Sequence, residues 1–254
     1  MTPDENLESE LKRQTRFAGL LHPESCDSTQ DLAAQEPTDH GPSFGDAVFW
    51  ADHQTRGRGR QARAWDDTAG LDLAVTLRIT TKLHNPLALP AALPVAVLQA
   101  CEPIAGQPLR IKWPNDVYAQ DRKLSGVLID RDTNRPNTYR IGVGINVNRT
   151  TFDGNLADIG TSLALLSGAQ QDRHALVLEL ATRVDAMVSA IERGHLREHE
   201  DLFRERLGLL GERVEVQARE TSVGILTAID FENLVLDERV AVPLAIVRSL
   251  RRAR

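Results

Sequence analysis

Four arginines are interspersed with glycines in the segment TRGRGRQARAW, which spans residues 55–65. The segment contains no acidic residue, although the whole chain carries a formal net charge of -6. Glycines let a backbone approach a ligand closely, and guanidinium groups donate charge-assisted hydrogen bonds to phosphate and carboxylate oxygens. The segment therefore predicts a loop that becomes ordered around an anion. A solvated basic loop or a weak nucleic-acid contact is the alternative interpretation.

A second segment, KWPNDVYAQDRKLSGVLID, covers residues 112–130 and contains two turn-forming sequences, PND and QDR. Two such turns predict a short hairpin on which the polar side chains converge. Lysines there would supply cations to an acyl and a phosphate oxygen, and a carboxylate would hold a metal ion or a ribose. The alternative is an ordinary turn flanked by surface lysines. The side chains concerned are Lys112, Asn115, Asp116 and Lys123.

The third segment, IGVGINVN at residues 141–148, places Gly142, Gly144 and Asn146 on one face of a predicted strand. Two missing side chains leave a flat floor on which a planar ring could rest, with the Asn146 amide contacting its edge. Close packing of another strand or helix against the bare backbone is the alternative. Together the three segments indicate a site for a polyanionic nucleotide, with a metal position and a lysine near the reacting oxygen.

The elements that must position these segments follow from hydrophobic periodicity. DSTQDLAAQ predicts a short helix that begins at Ser28 or Thr29. GDAVFWAD predicts a strand that leads into the arginine segment. GLDLAVTLRIT alternates between apolar and mostly polar residues, which predicts a half-buried strand. Residues 87–105 are apolar and rich in alanine, which is typical of a helix.

Strands and helices alternate with turns in the rest of the chain. The helical spacing of residues 172–193 predicts a helix that stops at Gly194, and a second helix is predicted over about 195–210. After Gly211 the chain consists of short β-rich runs at close spacing, which is typical of a small barrel. Further strands are predicted for LRIKW, VYA, KLSGVLID and TYRIGVGINVN.

Composition limits the class of protein. A length of 254 residues fits one large domain with a smaller appendage. The acidic net charge and an aromatic content of 4% argue against a general nucleic-acid binder. The first residues, MTPDENLESELKRQTR, are polar where a secretory signal would be apolar, and the sequence predicts no apolar run long enough to cross a bilayer. We therefore expect a cytoplasmic protein without a membrane partner.

The three segments make the chain similar to the biotin protein ligases of the BirA type. The resemblance rests on GRGRQARAW, KWPNDVYAQDRKLSG and GVGIN, with DSTQ before them, in the order of that family, and it covers about residues 20–254. It implies an α+β fold: a mixed β-sheet flanked by helices, of the class II synthetase type, and a small C-terminal SH3-like β-barrel. The implied division is a poorly structured segment 1–20, a biotin- and ATP-binding catalytic domain 21–210, and an SH3-like domain 211–254.

The resemblance also implies a reaction. Biotin is activated with ATP and magnesium as biotinyl-5'-AMP, pyrophosphate is released, and the biotinyl group passes to a lysine of a biotin carboxyl carrier domain. A lipoate or octanoate protein ligase is the alternative enzyme, and a nucleic-acid or protein-binding module is the alternative of another class. The segment before DSTQ is too short for the DNA-binding domain of bifunctional relatives, so no DNA partner is expected. A homodimer remains open.

The resemblance assigns candidate site residues by type of contact. The catalytic candidates are Arg58, Arg60, Lys123 and Lys112. The biotin-binding candidates are Ser28, Thr29, Gln30, Gln54, Arg58, Gly59, Arg60, Lys123 and Gly126. The ATP- or adenylate-binding candidates are Gly57, Arg58, Arg60, Arg63, Trp65, Asn115, Asp116, Lys123, Gly142, Gly144 and Asn146. The magnesium candidates are Asn115 and Asp116.

Overall fold

A computed structural model describes residues 1–35 and 45–253 of the chain. Its α-helices are α1 (Pro3–Gln14), α2 (Thr29–Ala34), α3 (Leu89–Ala105), α4 (Leu163–Ser167), α5 (Arg173–Arg193) and α6 (Arg197–Leu207). The strands of the first part are β1 (Gly19–Leu21), β2 (Ser25–Cys26), β3 (Ala47–Ala51), β4 (His53–Gln54), β5 (Leu73–Thr80), β6 (Arg110–Lys112), β7 (Asp116–Ala119), β8 (Arg122–Arg131) and β9 (Thr138–Ile145). The strands of the last part are β10 (Arg213–Gln217), β11 (Thr221–Ile229), β12 (Asn233–Leu236), β13 (Val240–Pro243) and β14 (Ser249–Arg252).

A seven-stranded mixed sheet forms the centre of the larger part, in the order β1-β3-β5-β9-β8-β7-β6. β1 runs parallel to β3, and the remaining neighbours are antiparallel. One face packs against α3 and α5 and contributes Val48 and Trp50 to the main core. The opposite face is covered in part by α2, whose Ala33 packs on Ala47 and Phe49. Side chains of β3 point alternately to these two faces, and all of them are buried.

The strand β5 differs from its prediction. Alternating apolar and polar residues predicted one solvated face, but every residue from Leu73 to Ile79 is buried. The helix α2 covers the polar face: the Thr76 hydroxyl donates to the Thr29 hydroxyl at 2.9 Å, and Arg78 donates to the Ala33 carbonyl at 3.2 Å. A polar face can be buried when its groups find hydrogen-bond partners, and the strand pattern does not reveal the covering helix.

The N-terminal segment also differs from its prediction, because residues 1–20 include the helix α1 and are not poorly structured. Thr2 and Glu5 form a capping box, in which each side chain accepts a hydrogen bond from the other residue's backbone N–H. Leu7 and Leu11 are buried against the body of the protein. The pattern of Thr2 followed by Glu5 three residues later was the available signal in the sequence.

The helix α3 is the central helix of the core. With the short 3₁₀ turn before it, Pro86–Ala105 is long and apolar enough to cross a membrane by length and composition. The expectation that the chain has no such run is therefore wrong for this segment. About 67% of the apolar window is buried inside the protein, where α3 packs against α5 and α6. A helix that is apolar all round is also what the interior of a protein of this size accommodates.

The smaller part contains a five-stranded antiparallel sheet in the order β13-β12-β11-β10-β14. Its strands begin at Arg213, and the domain boundary at 211 stays a prediction. The indole N–H of Trp113 donates to the Val247 carbonyl at 2.9 Å and joins the two parts of the chain. The fold class is confirmed: a mixed sheet with flanking helices is followed by a small antiparallel sheet of the kind expected for an SH3-like domain.

Candidate active site

A pocket of about 680 Å³ lies on the face of the large sheet that α2 partly covers, and it falls within the size range of ligand sites, about 300–1,000 Å³. Its lining includes six cationic and two anionic side chains, although the chain is acidic overall. The pocket therefore favours an anionic ligand. The cations are Arg58, Arg60, Arg63, Lys112, Lys123 and Arg248, and the carboxylates are Asp66 and Asp116.

Strand pairing builds the floor of the pocket from small residues. Gly144 lies opposite Ala74 on one side and Gly126 on the other, and Gly126 lies opposite Asp116 on the next strand. Directly opposed residues share a face of the sheet, so the four form one row across β5, β9, β8 and β7. The sequence indicated three of these residues but not Ala74, because its place in the row depends on strand register.

The indole of Trp65 covers this floor. A Cβ on Gly144 would lie 2.2 Å from the ring, and one on Gly126 would lie 3.4 Å from it. The neighbouring Gly142 is covered by Gln30, whose amide nitrogen would be 2.6 Å from an added Cβ. The bare backbone is thus closely packed by the chain's own side chains, which was the alternative interpretation of this strand. Its glycines still line the pocket at the edges of these contacts.

The arginine segment folds back on itself between Gly57 and Trp65. The Trp65 N–H donates to the Gly57 carbonyl at 3.0 Å, and the Gly59 N–H donates to the Arg63 carbonyl at 2.8 Å. A Cβ on Gly57 would lie 2.3 Å from the Trp65 carbonyl oxygen. Gly57 therefore closes the loop and is not among the lining residues, and its contact with the nucleotide stays a prediction. Gln61 at the tip adopts a φ of 56°.

The contact between Gly144 and Trp65 leads to a first prediction. Gly144→Val should displace the indole and loosen the loop, because an added side chain there overlaps the ring. We expect tryptic cleavage at Arg60 and Arg63 to become about tenfold faster, since overpacking typically costs about 1–3 kcal/mol. Limited proteolysis with mass spectrometry measures the rates. Gly45→Ala, where no atom of the described residues lies within 4 Å of the added Cβ, is the control. Equal cleavage in the two variants would contradict the docking role of Trp65.

One end of the pocket is lined by buried, uncharged polar side chains. Gln54 accepts hydrogen bonds from the Thr29 backbone N–H at 2.8 Å and from the Thr29 hydroxyl at 3.2 Å. The amide of Gln30 donates to the Leu128 carbonyl at 3.0 Å. The Ser28 hydroxyl and the Gln30 side-chain oxygen are buried without a partner among residues 1–35 and 45–253. Such groups cost about 1–3 kcal/mol each unless a ligand satisfies them, so this end favours a ligand with polar groups.

The cationic end of the pocket contains both ion-paired cations and an arginine without an ion pair among the described residues. Lys123 Nζ pairs with Asp116 at 2.7 Å, and Arg58 pairs with Asp31 at 2.9 Å and with Asp130 at 3.3 Å. Arg60 is half-buried, and its guanidinium forms no ion pair or hydrogen bond with the part of the chain that the structure describes. Burial lowers the pKa of Arg60, and the nearby Asp116 opposes that shift. A desolvated guanidinium without a partner favours binding of an anion.

The remaining hairpin candidates lie at the rim. Lys112 is exposed, and its ammonium lies 3.3 Å from the Tyr118 hydroxyl and over that ring. Asn115 donates its side-chain amide to the Val127 carbonyl at 2.9 Å. The structure thus brings the four predicted hairpin side chains to one pocket, with Lys123 and Asp116 in direct contact and Lys112 further out.

Asn146 is not among the residues that line the pocket, and its contact with a nucleotide base stays a prediction. It is fully buried, and its amide donates to the carbonyls of Thr161 at 2.9 Å and Lys123 at 3.2 Å. Its side-chain oxygen accepts from Arg149 at 3.1 Å. Because β9 ends at Ile145, the period of two no longer applies at Asn146, and its side chain supports the backbone that carries Lys123.

Sequence reasoning missed lining residues that come from distant parts of the chain. Arg248 reaches the pocket from the smaller part, just before β14, and it also lines a groove shared with Arg60 and Arg219. Tyr118 lines the pocket from the middle of the hairpin. The sequence carried no local signal for Arg248, since only the docking of the two parts brings it near Arg60.

The mixed sheet with flanking helices matches the catalytic fold of the biotin ligases. The chain belongs to the biotin/lipoate A/B protein ligase family, whose model matches residues 24–148. It is 32% identical over 208 residues to the biotin--[acetyl-CoA-carboxylase] ligase of Mycobacterium tuberculosis, a match that covers 79% of this chain and 75% of that protein. The resemblance stated from the motifs is confirmed.

Two further comparisons agree. The bifunctional ligase/repressor BirA of Bacillus spizizenii is 35% identical over 173 residues, which is 66% of this chain and 53% of that protein. The chain therefore spans about half of that relative's length. Among solved structures, the biotin protein ligase from Aquifex aeolicus in complex with biotin and ATP superposes with a TM-score of 0.79 at 28% identity. That superposition covers 93% of this chain and 100% of the Aquifex chain.

Proposed function

We propose that this chain is an ATP-dependent biotin protein ligase. It activates biotin as biotinyl-5'-AMP with release of pyrophosphate and then transfers the biotinyl group to a lysine of a biotin carboxyl carrier domain. One observation carries the proposal: a single pocket joins a buried, uncharged polar end to a cluster of cations. Biotin has the same two ends, a neutral polar ring system and a carboxylate that must meet a triphosphate. The Aquifex relative, whose structure contains biotin and ATP, supports the assignment.

The first half-reaction joins two anions. An oxygen of the biotin carboxylate attacks the α-phosphorus of ATP, the bond from that phosphorus to the bridging oxygen breaks, and pyrophosphate leaves. Arg60 and Lys123 would offset the repulsion between the reactants and stabilise the charge on the phosphoryl oxygens. Arg58 and Arg63 would cover the bound phosphates from the loop.

Magnesium fits the donor set of the hairpin. Asp116 offers a carboxylate and Asn115 an amide oxygen, and hard oxygen donors are the ligands that magnesium prefers. The Asn115 nitrogen is already bonded to Val127, which leaves the oxygen of that amide available. When bound with ATP, magnesium would neutralise phosphate charge. The two residues would hold it together with the nucleotide, since this ion is usually bound through one or two carboxylates and substrate phosphates.

The second half-reaction releases AMP. The neutral amine of the acceptor lysine attacks the acyl carbon of the mixed anhydride, the bond from that carbon to the phosphate oxygen breaks, and the attacking nitrogen loses a proton to water. Water would compete for the same carbon, so the anhydride must be shielded until the carrier arrives. The loop between Gly57 and Trp65 would do this, because most of its residues line the pocket and Trp65 packs on the glycines of the floor.

The polar end distinguishes biotin from lipoate or octanoate. An aliphatic acid would leave Ser28 and Gln30 buried without hydrogen-bond partners, and a site with such groups rejects ligands that cannot pair with them. A ureido ring offers both donors and acceptors. The specific observation at this end of the pocket therefore favours biotin.

A second prediction tests the proposal. Purified protein should release pyrophosphate only when ATP, magnesium and biotin are all present, and it should label a carrier domain with radioactive biotin. Lipoate and octanoate at the same concentration are the matched controls, and we expect less than 1% of the biotin rate, on the order of the discrimination that unpaired polar groups give. Equal rates with octanoate would contradict the choice of substrate. Absence of pyrophosphate with every acid would contradict the ligase activity and favour an anion-binding module.

A further inference from the structure

A cluster of polar side chains lies apart from the residues that line the pocket. Asp4 Oδ1 lies 3.0 Å from His22 Nδ1 and 3.0 Å from His174 Nε2. Across residues 1–35 and 45–253 this is the one group of at least three histidine, cysteine, aspartate or glutamate residues whose ligand atoms all lie within 4.8 Å of one another. None of its members lines the pocket.

The topology of the fold creates this cluster. His22 directly follows β1 and Asp52 directly follows β3, and these two strands run parallel, so their ends meet at one edge of the sheet. Asp4 is the second residue of α1 and His174 the second residue of α5. The contact between α1 and α5 brings the two helix starts to that edge. Three ligands from three separate elements thus converge on one point.

The hydrogen-bonding requirement of His22 points to a cation at this place. Its Nδ1 faces Asp4 at 3.0 Å, and its Nε2 faces Asp52 at 3.5 Å. A neutral imidazole has one N–H, so one of its two nitrogens presents a lone pair to a carboxylate. A metal ion between Nδ1 and Asp4 removes that repulsion, because Nε2 then carries the N–H and faces Asp52. This is the carboxylate–histidine–metal arrangement that orients metal-binding histidines.

We propose that Asp4, His22 and His174 bind a divalent transition-metal ion of the zinc type. Bond lengths of about 2.0–2.1 Å to nitrogen and oxygen give ligand–ligand separations of about 3.3 Å in a tetrahedral site, so two of the three separations need only a few tenths of an ångström of adjustment. Two imidazoles and a carboxylate are donors that zinc accepts and magnesium does not prefer. Asp4 is 46% exposed and His174 33% exposed, which leaves access for water as the fourth ligand.

The surroundings hold the ligands in place. His22 stacks on Trp50 with ring centroids 3.7 Å apart, and His174 meets the same indole edge-on at 4.8 Å. Arg173 pairs with Asp52 at 2.7 Å and keeps that carboxylate beside His22. The bound ion would fasten α1 to the sheet and to α5, in addition to the buried Leu7 and Leu11.

The test uses the full chain without an affinity tag, stripped with a chelator and titrated with Zn²⁺ alone by isothermal calorimetry. We expect one ion per chain, a rise in melting temperature on the order of 5 °C at a hundredfold excess over the dissociation constant, and no displacement by millimolar Mg²⁺. Asp4→Asn and His174→Gln should each weaken Zn²⁺ binding by at least tenfold. His84→Gln, at an exposed histidine outside the cluster, should bind as the unmodified chain does.

Two results would overturn the proposal. One is the absence of saturable Zn²⁺ binding, which would mean that Asp4, His22 and His174 meet through hydrogen bonds alone. The other is undiminished binding in the Asp4→Asn/His174→Gln double variant, which would place the ion elsewhere. Because a loss of packing around α1 would lower the melting temperature with and without Zn²⁺, the metal-dependent difference is the deciding measurement. The titration needs neither ATP nor biotin, so it is independent of the proposed ligase activity.

Discussion

Replacement of Arg60 by alanine is expected to slow adenylate formation by about 10²- to 10³-fold, the effect of removing one donor that stabilises charge in a transition state. Arg60 is the strongest candidate among the loop arginines. It is half-buried, lines the pocket, and has no ion-pair partner within the described residues, so its charge is available to the phosphates. Single-turnover release of pyrophosphate from ATP and biotin measures the rate.

Arg56 provides a matched control in the same loop. Its side chain is 76% exposed, pairs with Asp27 and does not line the pocket. Arg56→Ala removes the same charge from the same segment, so a general effect of loop charge would slow both variants equally. We expect Arg56→Ala to stay within about twofold of the unmodified chain, as surface substitutions away from a site usually do. Comparable losses in the two variants would refute a specific role for Arg60.

Replacement of Lys123 by alanine is expected to have a comparable effect, a loss of about 10²- to 10³-fold in adenylate formation. Lys123 lines the cationic end of the pocket, with Nζ 2.7 Å from Asp116 and 5.8 Å from the centre of the Trp65 ring. The KM for biotin should change little, because the buried polar end that would hold the ring system is intact. Rapid-quench measurement of biotinyl-5'-AMP separates the two parameters.

Two other lysines calibrate this prediction. Lys112 lines the pocket but is exposed and lies beside Tyr118, so Lys112→Ala should cost less than Lys123→Ala. Lys82 is exposed and outside the pocket, and Lys82→Ala should leave adenylate formation unchanged. A near-normal rate in Lys123→Ala, or a larger loss in Lys112→Ala, would show that the reacting oxygens lie at the rim and not above Asp116.

Internal ion pairs neutralise part of the positive charge of the pocket. Asp116 holds Lys123, while Asp31 and Asp130 hold Arg58. A cluster of unpaired cations would repel itself, and these carboxylates lower that repulsion before the ligand arrives. If Lys123 exchanged Asp116 for a phosphate of the ligand, the Asp116 carboxylate would become free next to the nucleotide. The proposed magnesium ion would bind there.

The difference between paired and unpaired arginines explains the size of the expected effects. Arg58 is exposed and already paired twice, so its contribution depends on exchanging partners. Arg60 gives up no such pair, and its burial has already removed part of its hydration. An interaction that requires little reorganisation stabilises a transition state more than one that must first break existing pairs. The order Arg60 above Arg58 is therefore a consequence of the resting contacts.

The sequence by itself determined much of the chemistry of the pocket. Alternation along a strand placed Gly142 and Gly144 on one face, and turn residues on both sides of β7 brought Asp116 and Lys123 together. These relations are local: they depend on the period of a strand and on short turns. Ser28, Thr29 and Gln54 came from the family resemblance, and the structure places them at the same end of the pocket.

Only the tertiary structure decided which surfaces cover these segments. Strand register set Ala74 beside Gly144, and the fold of the loop laid Trp65 over both glycines of the floor. The end of β9 turned Asn146 into the interior, and the docking of the small sheet brought Arg248 to the pocket. Parallel strand ends and two helix starts assembled Asp4, His22 and His174. Such contacts join residues far apart in the chain, and their formation depends on packing and register, which local spacing in a single sequence does not encode.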